Sequence, residues 1–227
     1  MGSLQILTTV LIVAAPVANA AKVAFLLAWW LLTFWPLQLR EVVFYTLACA
    51  FFTVMDVLTV GGGAFQFTHP DILGLPWYEP FLWGFYLLHT LRMMGGAPPP
   101  VSAPQRHRED GVRNKGVPKS AVVLAILFAL VFSFVREPQA LTFAATGLLI
   151  CGLALYRNPA DFAYSGYMIL VGALIEYVGV WSGEWSYPGA PWGGVALWFI
   201  PLWGGIGLLL RRIGLPLISN SIPGNRI

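Results

Sequence analysis

The sequence predicts an all-α polytopic membrane protein of about eight transmembrane helices, arranged as two parallel four-helix repeats. Three observations carry that prediction. Hydrophobic residues make up 58% of the 227 and charged residues only 10%, against roughly 25% charged in soluble domains. Apolar runs of about 20 residues, the length a helix needs to cross a bilayer, recur along nearly the whole chain. A shift of 120 residues superimposes one half on the other.

Breaks at charges, Pro and Gly set the spans at 4–20, 23–39, 42–60, 78–94, 119–135, 139–156, 162–181 and 195–210. The first run ends in Ala18-Asn19-Ala20, like a signal-peptide cleavage site, but lacks a basic n-region and is read as a retained helix. Residues 1–94 form a first repeat, 95–118 a Pro-rich basic cytoplasmic linker, 119–212 a second repeat and 213–227 a C-terminal tail. With the N-terminus inside, eleven of the 13 Lys and Arg fall on the cytoplasmic side, leaving only Lys22 and Arg136 outside. That bias predicts a bacterial inner-membrane protein with both termini cytoplasmic.

The shift of 120 places Asp56 on Glu176, Gly63 on Gly183, Phe65 on Trp185, Phe67 on Tyr187, Trp83 on Trp203 and Arg92 on Arg212, without a gap from residue 56 to residue 92. Such a register indicates an internal duplication. Four helices per unit return the chain to its starting side, so the units are predicted to be parallel, with any site at their interface.

Several chemistries find no support. Cys49 and Cys151 lie in apolar segments far from any second ligand, and His69, His89 and His107 are scattered, so neither a metal site nor a disulfide is expected. No Gly-rich phosphate loop appears, and the net charge of +3 sits mostly in loops. The expected partners are membrane lipids and a hydrophobic substrate, with no cofactor and no nucleic acid; the oligomeric state is not specified. His89 and Arg92, at the inner end of the fourth span, are expected to face lipid headgroups.

The third span of each unit carries the polar residues. Thr46, Cys49, Thr53, Asp56 and Thr59 follow at helical spacing on one face, and Ser165, Gly172, Glu176 and Gly179 do likewise in the second unit. Small residues on such a stripe let a ligand or helix approach the backbone. Glu79 opens the fourth span, and Glu184 lies in the aromatic loop after the seventh. Asp56, Glu79, Glu176 and Glu184 are therefore the candidate catalytic acids. Clustered carboxyls in a low-dielectric pocket favour one neutral acid able to donate a proton. Thr53, Phe67, Trp77, Trp83, Gly172, Gly179, Trp185, Tyr187 and Trp203 are the candidate substrate-binding residues. Aromatic faces stabilise cations, although an interfacial belt accounts equally for Trp77, Trp181, Trp185, Trp192 and Trp198.

From Asp56 through Gly63, Phe65, Phe67, Ile72-Leu73-Gly74, Pro76 and Glu79 to Phe81-Leu82, the chain resembles one unit of the small membrane-bound lycopene cyclases. Glu176 with Gly179, Gly183, Trp185, Tyr187, Gly194-Val195, Pro201 and Trp203 looks closer to the membrane carotenoid hydratases. The resemblance implies an enzyme that cyclises, hydrates or isomerises an isoprenoid or other polyene by carboxylic-acid protonation. Asp56 or Glu79 would protonate the alkene, Trp83, Trp185 and Tyr187 would shield the carbocation, and Glu176 or Glu184 would remove a proton or direct water. The alternative is a non-enzymatic membrane protein: a lipid or small-molecule carrier, or a scaffold subunit of a membrane complex.

Overall fold

Proline and capping residues punctuate the chain into helices. The computed structural model describes residues 2–95, 116–190 and 192–219. Most of the expected linker (96–115) and of the tail (220–227) lies outside them. The first repeat contributes α1 (Gly2–Ala14), α2 (Asn19–Phe34), α3 (Leu39–Gly61), the two-residue strand β1 (Gln66–Phe67) and α4 (Glu79–Gly95). The second contributes α5 (Lys119–Phe134), α6 (Pro138–Tyr156), α7 (Pro159–Trp181), β2 (Trp185–Ser186) and α8 (Phe199–Leu209). A π turn, Leu210–Gly214, carries α8 into the short α9 (Leu215–Ser219). Pro138 and Pro159 sit at the first turn, where their missing N–H is no loss, and Glu137 and Asn158 cap the free amides beside them. Gln38 and Glu41 form a reciprocal capping box on α3.

Three spans differ from expectation, the second running Asn19–Phe34 and not 23–39. The first helix stops at Ala14 instead of reaching residue 20, since Pro16 follows within a bend. The eighth begins at Phe199 and not at 195, because Trp192 and Val195 close a tight bridged turn first.

Helices α3, α6, α7 and the run Phe199–Ile218 are each long and apolar enough to cross a membrane, while Leu4–Ala14, α2 and α5 are shorter apolar helices. Their outward faces are greasy: Leu32 is 77%, Phe143 75% and Leu170 71% exposed. Such a surface is stable against lipid and not against water. The chain is therefore an integral, all-α membrane protein. Helices α4 and α8 are buried on nearly every side and pack on α3 and α7, respectively, at the centre.

At a shift of 120 residues the two halves match most closely in the third helix and at the start of the central one. Leu39–Gly61 maps onto Pro159–Trp181, and both central helices begin at mapped positions, Glu79 and Phe199. Gly63 and Gly183 each take φ +78° in the turn after the mapped helices, a conformation that glycine adopts without penalty. Strands β1 and β2 pair antiparallel, Gln66 against Ser186 and Phe67 against Trp185. Gln66 thus faces its own counterpart, and a local twofold passes through that pair.

Candidate functional site

Each half delivers a carboxyl group to this twofold from the C-terminal part of a long helix and an indole from the central helix beside it. In the first half the Trp83 Nε1–H donates to Asp56 Oδ2 at 2.6 Å. In the second the Trp203 Nε1–H donates to Glu176 Oε1 at 3.0 Å. The two indoles stack on each other, ring centres 5.2 Å apart, and Phe52 stacks on the far face of Trp83 at 4.3 Å. Both acids and Glu79 line one cavity of about 50 Å³ between the halves.

The second half is finished differently from the first. Glu176 Oε2 also accepts from Trp185 Nε1 at 3.1 Å and from the Tyr187 hydroxyl. Glu176 accepts three hydrogen bonds and donates none, each to a charged acceptor worth about 1.5–3 kcal/mol. Burial, and then the Glu176 carboxylate beside it, push the Tyr187 phenol well above its ordinary value, so it stays a donor. The mapped loop positions in the first half hold Phe65 and Phe67, which donate nothing. Asp56 therefore keeps one indole donor and shares the cavity with Glu79.

The other expected residues divide. Phe67, Trp83, Trp185, Tyr187 and Trp203 line the cavity with Asp56, Glu79 and Glu176. Indoles fill the space beside the stripe glycines: a Cβ on Gly172 would lie 2.1 Å from the Trp203 ring, and one on Gly179 1.9 Å from Trp185. Thr53 turns its hydroxyl onto the Cys49 carbonyl at 2.7 Å, within its own helix. Trp77 is half exposed on the outside, its backbone N–H bonded to Asp71. Glu184 is drawn away from the chamber into a buried ion pair with Lys22 at 2.6 Å, and the Tyr78 hydroxyl donates to its other oxygen at 2.7 Å. That pair fastens α2 of the first half to the loop between α7 and β2 of the second.

His89 and Arg92 do not face headgroups. Buried His89 bridges Gln5 at 3.0 Å and Tyr167 at 2.9 Å. Arg92 makes a two-pronged pair with Glu41, at 2.7 and 2.6 Å, and mapped Arg212 does the same with mapped Asp161. Two participants went unassigned by the sequence reading. Tyr86 lines the cavity and its buried hydroxyl has no hydrogen-bond partner among the described residues. Its signal was available, since Glu79, Trp83 and Tyr86 follow at spacings of 4 and 3 on one face of α4. Lys22 carried no comparable signal.

The cavity is not isolated. On one flank an apolar groove of about 240 Å³ runs between α3, α5 and the α8–π turn, walled by Phe44, Ala48, Phe51, Ala125 and Gly214. A pocket of about 30 Å³ lies between groove and chamber, sharing Phe51 and Ala125 with the first and Met55 and Leu202 with the second. Phe52 lines all three. The opposite flank is shut. Where the groove has Leu47, Ala125 and Leu209, the mapped positions are Tyr167, Gln5 and His89, the hydrogen-bonded triad described above.

No family model matches this chain, and no curated protein does. Two solved structures do: MvINS, a mycobacterial Insig homologue from Mycobacterium vanbaalenii, and a cross-linked trimer of a cysteine variant of MvINS. Each superimposes with a TM-score of 0.65 over 82% of this chain and 98% of its own, at 16% identity. The fold is similar to that of an Insig homologue. This overturns the likeness to lycopene cyclases and carotenoid hydratases, and with it the expectation of a polyene cyclase, hydratase or isomerase. The geometry gives a physical reason: Glu176 accepts from three fixed donors, Glu184 is tied to Lys22, and a chamber of about 50 Å³ is small for a polyene end group, ligand pockets running to about 300–1,000 Å³.

Proposed function

We propose that this chain is a non-enzymatic membrane protein that draws a single amphipathic lipid from the bilayer and holds it, acting as a carrier. It would cross a bacterial inner membrane eight times as two parallel four-helix repeats, 1–94 and 119–212, with both termini cytoplasmic. The observation that carries the reading is the one-sided path. The apolar groove of about 240 Å³ takes the chain of the lipid, and the chamber ringed by Asp56, Glu79, Trp83 and Tyr86 takes its head. A scaffold subunit has no use for a groove on one flank when the mapped flank is sealed by Tyr167, Gln5 and His89.

Filling the groove tests this. Ala125→Trp places an indole across the passage between groove and chamber. Mass spectrometry of lipids copurified with the protein should show one species depleted at least tenfold in the variant, with helical content by circular dichroism unchanged. An identical lipid complement in both proteins would leave the scaffold reading standing.

A further inference from the structure

We infer that the central chamber binds a primary ammonium group, supplied by the amine head of an amphipathic lipid or by a small free amine. The inference deepens the lipid-holding proposal and rests on it only for the first of those sources.

The charge balance is one-sided. Asp56, Glu79 and Glu176 all line the chamber, and no Lys, Arg or His does. Lys22 is already committed to Glu184, and Arg92, Arg211 and Arg212 to Glu41 and Asp161. Buried carboxylates without a countercharge are costly, so a cation that enters is held. Glu176 already accepts from Trp185, Tyr187 and Trp203, three of the roughly four sites a carboxylate offers. The unfilled capacity is on the α3–α4 side, where Asp56 takes a single indole donor and Glu79 lines the same cavity.

Tyr86 is the independent sign of a ligand. It is 3% exposed, lines the cavity, and leaves its hydroxyl unpartnered among the described residues. A buried hydroxyl without a partner forfeits about 1–3 kcal/mol. Asp56, Glu79 and the Tyr86 oxygen thus offer three acceptors around one space. An ammonium has three donors and no acceptor, whereas an alcohol has a single donor. A volume of about 50 Å³ suits a small polar head group. A trimethylated nitrogen has no N–H to donate. The aromatic walls tolerate a cation far better than aliphatic ones would.

The test uses the full chain in phosphatidylcholine nanodiscs, with the fluorescence of the chamber tryptophans as readout and protein-free nanodiscs as reference. Dodecylamine should give a saturable change, with dodecanol and dodecyltrimethylammonium at least tenfold weaker. Glu79→Gln and the conservative Tyr86→Phe should each weaken dodecylamine about tenfold. Methylamine added alone separates the sources: a matching saturable change assigns a free amine, and silence assigns a lipid head. Dodecanol binding as tightly as dodecylamine, or neither variant altering the amine response, overturns the inference. The two proposals fail separately. Lipid depletion by Ala125→Trp without amine preference removes the head-group assignment alone, while methylamine binding without any groove-dependent lipid removes only the carrier.

Discussion

The two halves place the same backbone around the same axis, yet one is closed on itself and the other is left open. Around Glu176 the loop supplies Trp185 and Tyr187, the central helix supplies Trp203, and Gly172 and Gly179 make room for the indoles. Around Asp56 the mapped residues are Phe65 and Phe67, Phe52 and Thr59, so the carboxyl keeps one indole donor and shares the cavity with Glu79. The flanks repeat the contrast: Gln5, His89 and Tyr167 seal one, while Ala125, Leu209 and Leu47 leave a groove on the other. After duplication a single scaffold can hold a structural half and a binding half, because hydrogen-bond donors at a few mapped positions decide whether an acid is a fastening or a ligand contact.

The largest expected effect comes from the tie between the halves. Lys22→Met leaves Glu184 buried without its countercharge, with only the Tyr78 hydroxyl to stabilise it. Breaking one partner of a buried pair costs about 3–5 kcal/mol, and removing both costs much less. Unfolding in mixed detergent and SDS micelles should show that loss for Lys22→Met and a substantial recovery in Lys22→Met with Glu184→Gln. A double variant as unstable as the single one would mean that the pair is not a closed unit.

The contrast between the two acids is sharpened by neutralising each. Glu176→Gln replaces one acceptor oxygen with an amide that meets existing donors, at a cost of about 3 kcal/mol. Asp56→Asn disturbs a single indole bond, at about 1 kcal/mol. The same unfolding assay should rank them in that order. Equal losses would contradict the division into a closed and an open half.

The scaffold was legible in the sequence because its signals are periodic. Apolar runs, prolines and the shift of 120 residues place α3 and α7 and join Asp56 to Glu176. That Asp56, Glu79 and Glu176 line one cavity was left open by the sequence and is a property of the tertiary structure. What was not legible depends on contacts between residues far apart in the chain. Nothing in the neighbourhood of Lys22 marks it as the partner of Glu184, some 160 residues away. Aromatic residues in the loops fitted a lipid-facing belt as well as a chamber wall, and only the tertiary structure separates exposed Trp77 and Trp181 from buried Trp185 and Trp198. The loop motif that resembles the polyene enzymes reflects turn geometry, Gly63, Gly74 and the acid-bearing helix, which serves a hydrogen-bonded turn whatever the chemistry beside it.

The smallest effect is the most pointed. Phe67→Tyr installs in the first half the hydroxyl that Tyr187 contributes in the second, and the mapped backbone directs it toward Asp56 as Tyr187 is directed toward Glu176. One added hydrogen bond to a carboxylate should raise stability by about 1 kcal/mol. The same hydroxyl occupies chamber space and donates to Asp56, so the variant should gain stability in the SDS titration while responding more weakly to dodecylamine. A stability gain with an undiminished amine response would place the ligand contact on Glu79 and Tyr86 alone. A loss of stability would show that the open half has no room for the donor its partner carries, and that its phenylalanines are there to pack.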